Sequence, residues 1–368
     1  MKNNSLLIIL LFISVFSFSQ DYKFETTIDL EATDVISQGN TGTCWSFSAS
    51  SFLESEVMRL TGKQIDLSEM YSVRHTYSQK AWNYVMRQGK TQFSQGGLAH
   101  DVINSIAEHG IVPNDAYSGL IEGKKGHNHS KMVDSLKTIL KTYLADTKTY
   151  PTNWRKDIEN TLDHYLGDDI TSFTYDGKTY TPQSFLEMTT INPDDYVTIT
   201  SFTHQPYYSN FILNIPDNFS NGDFYNVTLD ELVTAANHAL QNGFSIELDC
   251  DVSEKTFSAK HGLAIVPAND DTSALLKVSP EKDITAAYRQ QEFENFNTTD
   301  DHLMHITGML KDQNGTSYYK VKNSWGKNGL GNDGYIYMSE AYFKLKTISI
   351  MVHKDALPSN LKAKLLIK

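Results

Sequence analysis

Cysteine is nearly absent from this chain: two residues, Cys44 and Cys250, stand among 368. At most one disulfide is available, so a disulfide-stapled scaffold is excluded and the protein must rely on its apolar core. Basic charge is also short, with 32 Lys and Arg against 44 Asp and Glu and a formal net charge of −12. That balance argues against non-specific nucleic-acid binding, which needs basic patches. Prolines are few, nine in all, and no low-complexity linker or internal repeat interrupts the chain. Past the first twenty residues no run is apolar enough to span a membrane. What remains is an ordinary globular composition, 40% hydrophobic and 21% charged.

The start of the chain reads as a secretory signal. A basic opening, Met1-Lys2, precedes a largely apolar run from Leu6 to Phe18 and a small-x-small exit at Ser17-Phe18-Ser19. The run is too short for a stable membrane anchor, and no cysteine follows it to carry a lipid. The expected mature protein starts near Gln20, after cleavage at Ser19-Gln20, and is secreted or periplasmic. Residues 1–19 are thus set apart from a single domain over 20–368.

Within that domain Trp45, Ala49, Phe52, Leu53, Val57 and Leu60 fall on one helical face, ended by Gly62. A second helix is predicted from Leu98 to His109, stopped by Gly110. From 116 to 190 two more amphipathic patterns (Met132 to Tyr143, Trp154 to Leu166) and a turn at Tyr175-Asp176-Gly177-Lys178 suggest an insertion packed on the core. Beyond 190 the β signal rises at 196–199, 245–248, 302–309, 318–323 and 335–338, with one helix near 229–240. The reading is α+β and two-lobed: a helical lobe over about 30–115, the inserted helical segment over about 116–190, and a β-rich lobe over about 191–368.

Cys44 opens the first helix, in Gln38-Gly39-Asn40-Thr41-Gly42-Thr43-Cys44-Trp45-Ser46-Phe47. A thiolate is the reactive form of cysteine, and a helix N-terminus favours negative charge. A base is offered by His302 or His305, which face opposite sides of a strand, so spacing alone does not choose between them. Asn323, in Asn323-Ser324-Trp325-Gly326, can accept an imidazole N–H and hold the ring, with Trp325 as a cover against water. Gln38 can donate an amide N–H to an oxyanion beside the backbone N–H of Cys44. Asp301 precedes His302 and is placed to tune it. Asp300 reads as solvated, Cys250 as an inert buried thiol, and His127-Asn128-His129 as a solvated loop rather than a metal site.

These residues, Gln38, Cys44-Trp45-Ser46-Phe47, Asp301-His302 and Asn323-Ser324-Trp325-Gly326, resemble those of the papain superfamily of cysteine peptidases. The resemblance implies a papain-like fold and a Cys-His-Asn thiolate mechanism with no metal or cofactor. It selects His302 as base, since the family's motif runs from His to a Gly six positions on, here Gly308. It also gives Gln95, Gly96 and Gly97 as substrate-binding residues that pair with an extended peptide. His302 to Gly308, Cys250-Asp251-Val252 and Thr203-His204-Gln205-Pro206-Tyr207-Tyr208 are most similar to the bleomycin hydrolase and aminopeptidase C branch. That branch lacks the usual disulfides, and Thr41 stands here where papain-type enzymes carry a disulfide cysteine.

The implied activity is hydrolysis of peptides or proteins, aminopeptidase action being favoured over endopeptidase action. The segment before Cys44 is shorter than an inhibitory pro-segment, so synthesis in active form is expected. The branch lays a C-terminal tail in its cleft, and this chain ends at Ile367-Lys368, short of such a tail. Exo- against endopeptidase action therefore stays open at this point. The branch forms hexameric cages, which implies a homo-oligomer. A papain-fold protein that binds peptides without cleaving them is the competing reading, and all four chemical positions being intact argues against it.

Overall fold

A computed structural model describes residues 21–121 and 123–368; the segment expected to be a secretory signal, residues 1–19, lies outside the described residues. Strand β1 (Glu25–Asp29) leads into helices α1 (Cys44–Thr61), α2 (Glu69–Met86) and α3 (Ala99–His109). Helices α4 (Ser130–Ala145) and α5 (Trp154–Leu166), strands β2 (Phe173–Tyr175) and β3 (Lys178–Tyr180), and helix α6 (Pro182–Thr189) follow. Next come β4 (Tyr196–Thr200), β5 (Asn210–Ile212), β6 (Asp223–Asn226), helix α7 (Leu229–Gln241), β7 (Ile246–Cys250), β8 (Phe257–Ser258) and β9 (Leu263–Ala264). The chain finishes with α8 (Ala286–Glu294), β10 (His302–Lys311), β11 (Ser317–Lys322), β12 (Tyr335–Ser339), α9 (Glu340–Lys346), β13 (Thr347–His353) and α10 (Ser359–Leu365). Helices dominate first and strands second, as the patterning predicts.

One large sheet runs β5-β6-β4-β13-β7-β10-β11-β12-β9-β8, with β1 added to β10. β10 is its organising strand. Its first half pairs with β7, His302 opposite Cys250, and its second half pairs with β1. At the changeover Gly308 lies against the carbonyl of Ile28, where any side chain would collide with backbone. The glycine is required there by close approach, and it locks the register that decides which way each histidine faces.

Helix α1 is buried on every side from Cys44 to Val57, the pattern of a central helix rather than a surface one. Five of its positions, 46, 48, 50, 51 and 55, are serines. Their small side chains let neighbouring elements approach closely, and four hydroxyls find partners there. Ser46 donates to Glu69 O at 2.7 Å, Ser48 to Met304 O at 2.7 Å and Ser55 to Glu31 O at 2.8 Å, while Ser51 Oγ lies 2.9 Å from His305 Nδ1. The helix ends as expected at Gly62, whose left-handed backbone returns an N–H to Met58 O.

The structure adds elements that patterning does not reveal. Helix α2 carries buried Arg74, Thr76 and Lys80 among its apolar positions, so it has no clean stripe. Strand β13 lies between β4 and β7 and is buried at every residue, which removes the alternation that marks a half-exposed strand. It also follows α9 with no turn residues between. The segment from 116 to 190 packs into the helical core: Leu136, Leu140, Ile158 and Leu162 share one cluster with Trp45, Phe52 and Val102.

Among the described residues no helix is long and apolar enough to cross a membrane. Phe52 is fully buried, edge-on to the rings of Tyr196 and His305 where α1 meets the sheet. Phe52→Ala should cost about 3–5 kcal/mol, read as a lowered midpoint of urea unfolding; an unchanged midpoint would mean that this packing is not what holds α1.

Candidate active site

The N-terminus of α1 is stitched to the loop before α3. Gly42 N–H donates to Gln95 Oε1 at 2.7 Å, and Trp45 Nε1 donates to Gln95 O at 3.0 Å. Thr41 Oγ1 reaches Gln95 Oε1 at 3.2 Å and His129 Nδ1 at 2.8 Å. Thr41 thus anchors the loop by hydrogen bonds. His129 is buried by this contact, which corrects the expectation of a solvated loop there.

Cys44 is 7% exposed. The backbone N–H groups of Leu303 and Trp45 lie near its sulfur and favour its charged form, so it faces the start of β10, where His302 stands. His302 Nε2 lies 2.8 Å from Asn323 Oδ1. The backbone N–H of Ser324 donates to the same oxygen at 2.7 Å, which fixes the amide's orientation, because a backbone N–H can only donate. Nε2 must therefore carry hydrogen, and Nδ1 is left with its lone pair. Trp325 lies over this bond, its ring 4.8 Å from the His302 ring.

His305 points the other way, to Ser51 and Phe52, as the strand period requires. Asp301 accepts from Thr299 Oγ1 at 2.7 Å; its carboxylate is turned to that loop and not to the imidazole.

Gln38 sits in the wall beside Cys44. Its Nε2 donates to Thr41 O at 2.7 Å and its Oε1 accepts from Ser324 Oγ at 2.5 Å, leaving one amide hydrogen free. Ser324, which sequence reasoning did not single out, thereby ties the amide donor to Asn323.

Burial works on the charges. It pushes the Cys44 thiol up to about 12 and draws His302 down to about 4, the bond to Asn323 pulling the latter back. This opposes the lowering expected from the helix start.

The three substrate-binding candidates behave differently from one another. Gln95 is a scaffold residue, as its bonds above make plain. Gly97 is buried against the Trp45 ring. Gly96 has its carbonyl bonded to Lys80 Nζ, and the carboxylate of Asp217 covers its Cα. Asp217 was not marked in the sequence, where Pro216-Asp217-Asn218 reads as an ordinary loop.

Asp300, expected in solvent, is half-buried, with its Oδ2 shut off from solvent. Burial and the neighbouring carboxylates of Asp217 and Asp301 raise it to about 7. Cys250 is fully buried, with its thiol pushed up by burial and then by Asp249, consistent with an inert role. Behind Asn323 and Met304 lies a polar cavity of about 380 Å³ lined by Ser51, Glu54, Glu69, His305 and Lys322. Glu54, Asp66 and Glu69 come within metal-binding reach of one another. Glu54 already accepts from Thr33 and from Leu67 N–H, and Lys322 stands beside it to offset the charge.

Comparisons with known proteins bear on the fold and the family. The crystal structure of PepW from Lactobacillus rhamnosis matches with a TM-score of 0.71 at 19% identity, covering 93% of this chain and 84% of that one. Fold and site together define a cysteine-type peptidase of papain-like architecture. Residues 23–171 match the papain family of cysteine proteases, and residues 159–367 match the Peptidase C1-like family. The chain belongs to the Peptidase C1-like family. Its relatives include Aminopeptidase C of Listeria monocytogenes, 25% identical over 90% of this chain and 82% of that protein. Cysteine proteinase 1, mitochondrial, of Saccharomyces cerevisiae is 24% identical over 93% and 79%. Aminopeptidase G of Lactobacillus delbrueckii is 23% identical over 89% and 83%.

The buried acids set a pH dependence of stability. Burial raises Glu54, Glu281 and Asp300 to about 7 and Glu247 to about 8. In the unfolded chain all four ionise near pH ~4. The folded state therefore holds more protons, and the stability this confers is lost as pH rises through 7 to 8. His302 and His129, drawn down to about 4, oppose folding only below their unfolded value. The melting temperature should fall between pH 6.5 and 8.5; a flat or rising trend would contradict the assignment.

Proposed function

We propose that this chain is an exported aminopeptidase that hydrolyses peptides through Cys44, His302 and Asn323. The observation that carries the catalytic part is the 2.8 Å contact between His302 Nε2 and Asn323 Oδ1, one residue from the backbone N–H that meets the Cys44 sulfur. The relatives named aminopeptidases support the exopeptidase part. Export rests on the leader, Met1 to Ser19, and places the mature enzyme outside the cell or in a periplasm.

The mechanism follows from the tautomer. With Nε2–H held by Asn323, the free Nδ1 takes the proton of Cys44. Burial penalises each charge alone, but this transfer makes both together, so their attraction offsets the loss of water. The thiolate attacks the peptide carbonyl carbon, and the oxygen becomes an oxyanion. The free Nε2–H of Gln38 and the backbone N–H of Cys44, which has no intrahelical acceptor, receive it. His302 then gives its proton to the leaving amine, and a thioester remains. Water, deprotonated by His302, attacks the thioester, and the acid product leaves as Cys44 regains its proton.

Cys44→Ala and His302→Ala should each abolish turnover while circular dichroism stays native. Asn323→Ala should lower kcat about 10- to 100-fold, the cost of one charge-assisted hydrogen bond in the imidazolium state. Turnover retained in Cys44→Ala would rule out the mechanism. For specificity, free-amine substrates should be cleaved and N-blocked ones spared; for export, the protein recovered outside the cytoplasm should start near Gln20.

A further inference from the structure

The loop 213–222 between β5 and β6 forms a strap across the cleft. On the helical side Asp217 Oδ1 accepts from Gln92 Nε2 at 2.9 Å and from Ser94 Oγ at 3.3 Å. Ser220 Oγ donates to Asp101 Oδ1 at 2.6 Å and lies 2.9 Å from His100 Nε2. On the sheet side the backbone N–H of Asp217 meets the carboxylate of Asp300, two residues before His302. Asn218 closes the loop on itself, bonding Leu213 O, Gly222 O and Gly222 N–H at 2.7–2.9 Å. The strap therefore touches both walls, on the side of the glycine pair.

Two consequences follow. The first is steric. Gly96 is covered by Asp217 and its carbonyl is occupied by Lys80, so an extended chain cannot run past it. The second is electrostatic. Behind Asp217 stand Asp300 and Asp249. Asp249 is 1% exposed and packed beside Leu98 and Leu303 next to the catalytic strand; burial and then the neighbouring Asp300 push its carboxyl well above the usual range, so it keeps its proton. Glu247 is packed there too, 3.0 Å from Ser48 Oγ. Lys80 and Asp101 also face Asp217. Lys80 is itself buried and engaged by Gly96. Held protonated by burial, Asp249 adds no charge of its own, and the carboxylate that faces the cleft is that of Asp217.

We propose that the strap closes the amino side of the cleft and that Asp217, held over Gly96 by Gln92 and Ser94, binds the α-ammonium of the substrate's first residue. One residue then fits between the strap and Cys44. This rests on the aminopeptidase reading and adds the group that enforces it. An α-ammonium is favoured over a basic side chain because the strap leaves no path for the backbone that would carry such a side chain past Gly96.

The test uses the full mature protein with leucine p-nitroanilide, its N-acetyl counterpart, and peptides bearing lysine or leucine at the second position. Wild type should prefer the free amine, and Asp217→Asn, which keeps an oxygen for Gln92, should shrink that preference about 10- to 100-fold, chiefly through KM. Labelling of Cys44 by iodoacetamide with Cys250 left unlabelled checks that the variant is folded, since Cys250 is fully buried in the folded chain. In wild type, leucinamide should slow that labelling and N-acetyl-leucinamide should not, a result independent of any variant. No free-amine preference in wild type would overturn the aminopeptidase reading itself. A preference that survives in a folded Asp217→Asn protein would overturn the assignment of Asp217 alone. Release of dipeptides, or a preference for substrates with lysine before the cleaved residue, would overturn the ammonium site in favour of a longer or side-chain-reading pocket.

Discussion

The seam between helix α1 and strand β10 is the constraint on which the rest of the structure depends. Ser48 bonds the carbonyl of Met304, Ser51 meets His305, and Phe52 packs edge-on to the same histidine. Those contacts hold the first turn of α1 at the start of β10, so the Cys44 sulfur meets the N–H of Leu303. The register of β10 is fixed independently, by β7 on one half and by the crowding of Gly308 against Ile28 on the other. A one-residue slip would turn His302 away from Asn323 and bring the wrong face forward. A functional pair split between a helix and a strand thus obtains its geometry from two buried elements, which hold position better than loops do.

The same burial creates the electrostatic problem that the site has to solve. A dry seam favours the neutral thiol and the neutral imidazole, and it also keeps Glu247 and Asp300 protonated into the neutral range. Chemistry in such a place proceeds by moving a proton between partners, which leaves total charge unchanged, rather than by exposing one ion. The tautomer of His302 is the key. Ser324 N–H pins the Asn323 oxygen, that oxygen pins Nε2–H, and Nδ1 is thereby kept as a base. Each link is a donor or acceptor that has no alternative role. Ser324 extends the chain through its side chain to Gln38, so the base's orientation and the oxyanion donor share one anchor.

Legibility in the sequence followed exposure. Helices α1, α3 and α7 were readable because each ends on a capping signal and carries an apolar periodicity. The hairpin of β2 and β3 was readable from Asp176-Gly177, both with positive φ. Strands β10 to β12 were visible as β-rich runs. Helix α2 was not, because its buried Arg74 answers Asp163 and Glu159 from the inserted helices, a pairing no local pattern contains. Strand β13 was hidden by burial on both faces. The catalytic candidates were legible as residue types, yet spacing alone did not separate His302 from His305; resemblance chose His302, and the structure puts Asn323 against it. The misjudgement of Asp300 has the same root as the silence over Asp217. Both are loop carboxylates whose surroundings come from segments far away in sequence, and an acidic loop residue is in solvent by default.

That division between rigid seam and crossing strap also separates chemistry from selection. The residues proposed as attacking group, base, orienter and oxyanion donors all lie on α1, β10, the loop after β11 and the 38–44 loop, and none of them belongs to 213–222. A strap of apolar residues would shorten the cleft by bulk alone and would admit any end that fitted. A carboxylate placed on it, as Asp217 is, adds an attraction that a cationic end can satisfy. On the proposed reading, exclusion would reject the long chain and charge would reward the free terminus, so discrimination would come from a difference between two binding energies rather than from one. Because the strap is held through Gln92, Ser94 and Asp101 on one wall and Asp300 on the other, it can set that difference without moving the sulfur or the imidazole.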